Sequence, residues 1–206
     1  MLVVLASASP ARLGVLRAAG IDPVVEVADL DEDGLLAGMP EATAAEKVTA
    51  LASAKATAVA ERIGTTHPDA IVIGCDSMLL IDGALVGKPH TAEVARKRWA
   101  EMAGGTGDLY TGHAVLRLAG GTVAATAAEH AVTGVRFADP TPDELEAYLA
   151  TGEPLVVAGS FTIDGLGGWF VEGLDGDPSN VIGLSLPLTR RLLAQVGVRV
   201  TDLWRA

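Results

Sequence analysis

Apolar residues along this chain follow two periods, and the boundaries between them predict the elements. Leu2–Ala6 is a short unbroken apolar run, read as a buried strand. Val24–Val27 is read as a second strand. The run from Ala70 to Ile81, AIVIGCDSMLLI, predicts a central strand that turns at Asp82-Gly83, a strong hairpin signal, and continues to Pro89. Leu109–Leu118 and Val123–Phe137 alternate loosely around Gly120-Gly121, predicting a long hairpin. The helical period is clearest over Thr43–Ile63. There Thr43-Ala44-Ala45-Glu46 spells a capping box, Gly64 closes the end, and Ala44, Val48, Ala52 and Val59 form an apolar stripe. Further helices are predicted from Pro10 to Gly20, from Thr91 to Gly104-Gly105, from Thr141 to Gly152 and from Leu188 to Val196. In the second of these Val94, Trp99 and Met102 are the expected core contacts. Mixed periods and several antiparallel pairings predict an α/β protein with a mixed sheet flanked by helices.

Composition narrows the partners. Half of the 206 residues are hydrophobic, enough for a sizeable core, and the whole of 1–206 is read as one domain. No apolar run reaches the roughly 18 residues of a membrane span, so no membrane partner is expected. The opening MLVVLASAS lacks the basic flank of a signal peptide and is read as the first strand. A net charge of −11 repels a phosphate backbone, so no nucleic-acid partner is expected, although a free nucleotide can bind where cations gather. The lone Cys75 is read as a small buried residue and fits a cytoplasmic location. His67, His90, His113 and His130 lack metal-ligand spacing and are read as surface or loop residues.

Against that background a few polar residues stand out. Asp76 lies inside the 70–81 apolar run, where a carboxylate must meet a cation or hydrogen-bond donors. Lys88, between Gly87 and Pro89, follows the hairpin, which can carry it toward the same end of the sheet. Lys55 falls on the apolar stripe of the 43–63 helix, where it either snorkels outward or meets an anion. Ser9-Pro10 is a good start for a helix fed by the first strand. That junction is either an anion cradle reinforced by Ser7 and Arg12 or an ordinary strand-to-helix turn. The acidic run Asp29-Leu30-Asp31-Glu32-Asp33 is either a solvated loop or the source of one metal ligand. The segment 156–186, rich in glycine and aspartate, fits plain turns or backbone shaped around a ligand.

In order along the chain, LASASPARLGVL, Asp31-Glu32, LASAKATAVA, GCDS followed by GKP, and AGSFTIDGLGGWFVEGLDGDPSNVIGLSL resemble the motifs of the Maf family of nucleoside triphosphate pyrophosphatases. The resemblance implies an elongated mixed α/β sheet with two lobes and a cleft, similar to inosine triphosphatases. It also implies a cytoplasmic homodimer that uses a divalent metal, Mg²⁺ or Mn²⁺. The implied reaction is hydrolysis between the α and β phosphates of canonical or modified nucleoside triphosphates, giving a monophosphate and pyrophosphate. By the same resemblance Asp76 is the proton acceptor and, with Glu32, a metal ligand. Ser7, Ser9, Arg12, Lys55 and Lys88 lie near the triphosphate. The rival readings are a non-catalytic nucleotide-binding regulator of septum formation and a phosphatase releasing orthophosphate.

Three positions depart from the family's branches. A pyrimidine-preferring branch has arginine, threonine and glutamine where this chain has Ala11, Ser77 and Asp164. A 7-methyl-GTP branch has an aromatic residue at the first position and an acid at the last. Asp164 is therefore either an acceptor for a base edge rich in N–H groups, such as guanine's, or a solvated turn residue. A family histidine is replaced by Asp108.

Overall fold

The computed structural model describes residues 1–205. Its elements, in chain order, are β1 (Leu2–Leu5), α1 (Pro10–Ala18), β2 (Val24–Val25), α2 (Glu32–Ala37), α3 (Ala44–Ile63), β3 (Ala70–Ile81), β4 (Ala84–Val86), α4 (Ala92–Met102), β5 (Thr106–Ala119), β6 (Thr122–Phe137), α5 (Pro142–Ala150), β7 (Val171–Asp175), α6 (Pro178–Ile182) and α7 (Leu186–Gln195). The strands form a mixed sheet in the order β2-β1-β3-β5-β6-β7, with β4 pairing to β3. No described helix is long and apolar enough to cross a membrane.

The chain forms two compact units. The first comprises Met1–Asp76, Thr111–Ala131 and the chain from Gly183 onward. Here β1 runs parallel to both neighbours, with Leu5 opposite Val25 on one side and Ile73 on the other. Parallel neighbours need crossover connections, which α1 and α3 supply. The capping box at Thr43 and Glu46 is made in full, and Val48, Leu51, Ala52, Ala56 and Val59 of α3 are buried. Of these, Ala52, Ala56 and Val59 pack with Val4, Val72, Ala114 and Leu116. Two glycines set how closely the helix lies: a Cβ on Gly74 would overlap the Ala52 carbonyl oxygen, and one on Gly112 would overlap that of Val48.

The second unit comprises Ser77–Tyr110 and Val132–Ile182. The expected hairpin is present, with Leu79 opposite Val86 and Ile81 opposite Ala84. Asp82 and Gly83 both have positive φ, 46° and 77°, as a type I′ turn requires. Trp99 anchors the core, meeting Phe137, Tyr148 and Phe170 edge to face at centroid separations of 6.0, 6.2 and 5.8 Å. Trp99 and Met102 of α4 are buried as expected, whereas Val94 is exposed.

The structure corrects several boundaries. The second strand is two residues long, and the acidic run ends in a helix rather than a loop. Asp31 caps α2 by accepting a hydrogen bond from the Gly34 N–H at 2.9 Å. The glycine-rich segment holds β7 and α6 between its turns, and the last helix begins at Leu186, capped by Ser185. His113 was expected at the surface and is fully buried, because its position in β5 faces the core.

Candidate active site

In the first unit the junction between β1 and α1 is built by its own sequence. Ser9 takes the N-cap and Pro10 the first helical position, as read from the sequence. Ser9 Oγ accepts from the Arg12 N–H at 3.4 Å, and the Ser9 N–H donates to Ser7 Oγ at 3.2 Å. The Arg12 side chain then turns back toward the sheet. Its Nη1 donates to Ser7 Oγ at 3.0 Å and to the Cys75 carbonyl at 2.9 Å, while Nε donates to the Gly183 carbonyl at 2.8 Å. Arg12 is therefore no freely solvated arginine. It is fixed against the residue preceding Asp76, beside a helix N-terminus that favours anions.

Asp76 follows Gly74 by two positions in β3, so both side-chain positions lie on the same face of the strand. Gly74 meets α3 at Ala52 and Ala56. Lys55, on the same helix, reaches Asp76: Nζ lies 2.7 Å from Asp76 Oδ1 and 3.0 Å from Glu32 Oε1. The Lys55 and Asp76 side chains are only 12% and 11% exposed, and that of Glu32 is 46% exposed. The core-facing lysine thus meets an anion, and the acidic run contributes its Glu32 from the first turn of α2. Two carboxylates and one ammonium share one point. Among the described residues no group of three His, Cys, Asp or Glu side chains forms a self-sufficient metal cage. The neighbouring Cys75 thiol is buried and pushed up to about 11 by that burial, so it is no nucleophile at neutral pH.

The second unit carries the other named residues. Lys88 and Asp164 are exposed, and Ser77 is half-buried; Ala11, in the first unit, is also half-buried. The loop before Lys88 is tied down at Gly87, whose carbonyl accepts from Arg98 Nη1 at 2.5 Å and from the Gly159 N–H at 3.2 Å. The loop carrying Asp164 is tied down by Glu153, which sequence reasoning missed. Its carboxylate accepts from Thr162 Oγ1 at 2.6 Å, the Gly167 N–H at 2.9 Å, the Leu166 N–H at 3.0 Å and the Tyr148 hydroxyl at 3.1 Å. Burial works against the charged form, but these donors outweigh it and hold the carboxyl below its ordinary range. A single glutamate in a 153–155 turn carries no sequence signal for this role.

Residues 2–196 match the family described as Maf-like protein. The chain belongs to this family. Its Maf-like relatives include proteins named nucleoside triphosphate pyrophosphatase from Nocardia farcinica, Saccharopolyspora erythraea and Rhodococcus erythropolis. The first is 64% identical over 98% of this chain and 96% of its own length. The second is 60% identical over 99% and 97%, and the third 57% identical over 98% and 96%. The motifs that carried the resemblance therefore belong to a match along almost the whole Maf-like chain.

Proposed function

We propose that this protein is a nucleoside triphosphate pyrophosphatase that cleaves the bond between the α and β phosphates. The observation that carries the reading is the buried Asp76, joined to Glu32 through Lys55 and set one residue from the carbonyl that fixes Arg12. The names of the full-length relatives support the same reaction.

A divalent cation, Mg²⁺ or Mn²⁺, fits the donors present. Asp76 and Glu32 offer hard carboxylate oxygens that converge on one Nζ. Mg²⁺ sites of this type need only one or two carboxylates, with phosphate oxygens and water completing the shell. When bound, the cation supplies neutralisation of phosphate charge. The protein's own groups do the rest. The Asp76 carboxylate orients a water molecule and accepts its proton as the water oxygen bonds to the α-phosphorus. The bond from that phosphorus to the bridging oxygen breaks, and pyrophosphate leaves with the electron pair. Arg12, Lys55 and the donors at Ser7 and Ser9 offset the charge gathering on the departing group, and the family resemblance assigns Lys88 the same role.

Asp164 is assigned to the base edge, where a carboxylate favours a guanine-like donor pattern, and Ala11 and Ser77 are the accompanying specificity positions. A cytoplasmic homodimer, working as one domain without nucleic-acid or membrane partners, completes the proposal. Its support is the family resemblance and the strongly acidic charge. The test is a panel of canonical and modified triphosphates with Mg²⁺ or Mn²⁺, both products identified. Monophosphate plus pyrophosphate is expected. Orthophosphate alone, or no turnover across the panel, overturns the reading.

A further inference from the structure

Among the buried titratable side chains that the reaction above leaves unused is His113. His113 lies in β5, fully buried, and both ring nitrogens are engaged. The Ser185 N–H points at Nε2 across 2.7 Å, so Nε2 must carry a lone pair. The proton therefore sits on Nδ1, which donates to the Thr111 carbonyl at 3.0 Å. A ring held at both ends in one tautomer fixes whatever its acceptor holds.

What it holds is the segment Gly183–Ser185. Leu184 and Ser185 are buried, and Gly183 has a φ of 116°, a conformation that side-chain-bearing residues rarely adopt. Ser185 caps α7 by accepting from the Leu188 N–H at 3.2 Å. Two residues upstream, the Gly183 carbonyl accepts from Arg12 Nε at 2.8 Å. Arg12 is thus gripped on one edge by Gly183 and at Nη1 by Ser7 and Cys75.

We propose that His113 is a positioning residue that sets the orientation of the Arg12 guanidinium through the Gly183–Ser185 segment. The proposal rests on the reading of Arg12 as a phosphate-binding residue. If the segment shifts, the carbonyl meeting Nε shifts with it, and the guanidinium loses the geometry that phosphate recognition needs. A residue serving only to fill the core would not be tied to Arg12 in this way.

Two polar substitutions separate the bonds. His113→Gln can place an amide oxygen where Nε2 accepts from Ser185. His113→Asn can keep only the contact to Thr111, because its amide is too short to reach Ser185. Binding of inorganic tripolyphosphate in the presence of Mg²⁺ is measured by calorimetry for both variants, with and without Arg12→Ala. His113→Asn is expected to weaken binding about tenfold, the scale of one charge-assisted hydrogen bond. His113→Gln should stay near the unmodified protein, and neither change should matter once Arg12 is alanine. Equal losses from Asn in both Arg12 backgrounds, or equal effects of Asn and Gln, overturn the proposal. If Arg12→Ala alone leaves tripolyphosphate binding unchanged, the phosphate-binding reading of Arg12 fails instead. Independently of any variant, ¹⁵N resonances must show a protonated Nδ1 and a bare Nε2 in His113; the opposite tautomer overturns the proposal without kinetics.

Discussion

Removing Lys55 tests the charge arrangement at the site most directly. Lys55→Met keeps an aliphatic side chain of similar length on α3 and deletes the ammonium lying 2.7 Å from Asp76 and 3.0 Å from Glu32. Asp76 is then left 8% exposed without that cation. Breaking a buried ion pair from one side costs about 3–5 kcal/mol. Glu32 is 46% exposed and can turn to water, so only the Asp76 part applies in full, and the lower end, about 3 kcal/mol, is expected. For a domain of this size 1 kcal/mol moves Tm by about 2–4 °C, so the expected fall is about 6–12 °C. Asp76→Asn behaves differently. It removes the charge while keeping the shape, and Lys55 retains Glu32, so the fold should persist while kcat falls at least about 10²-fold. The double variant Lys55→Met/Asp76→Asn should regain most of the lost Tm, because no uncompensated charge remains at that point. Thermal denaturation of the four proteins at low ionic strength provides the cycle, with steady-state kinetics on the same samples. A Lys55→Met Tm within 2 °C of the parent, or a double variant no more stable than Lys55→Met, would refute the reasoning.

The remaining predictions use other parts of the molecule. Gly112→Ala should cost about 3 kcal/mol or more, because its Cβ meets the Val48 backbone rather than a movable side chain; chemical denaturation checks it, and a neutral change means α3 is not held this closely. The depressed Glu153 carboxyl contributes stability that is present above its ordinary value of about 4.3 and is lost as pH falls through its lower folded value. The Tm advantage of the parent over Glu153→Gln should therefore shrink as pH drops from 6 to 3, and a constant difference argues against the carboxylate as the loop's anchor. Chelation should abolish turnover without unfolding the protein, and Mg²⁺ or Mn²⁺ should restore it. Turnover that survives chelation counts against a cation held by Asp76 and Glu32.

Local signals were legible because their physics acts over three or four residues. The capping box at Thr43 and Glu46, the Ser9-Pro10 helix start and the Asp82-Gly83 turn each depend on neighbours in the chain, and each is present as read. Lys55 on an apolar stripe and Asp76 in an apolar run were both visible as charges that needed partners. Which partners they found was decided elsewhere. The parallel register of β1 on β3, with α3 pressed onto Gly74, brings Lys55 to Asp76 across 21 residues and to Glu32 from a separate helix. Arg12 is held by a carbonyl 171 residues away, His113 by the segment that carries that carbonyl, and the 162–167 loop by Glu153. No pattern in the chain marks such pairs. A buried polar atom needs a partner wherever the packed backbone happens to present one, and only the tertiary structure chooses it.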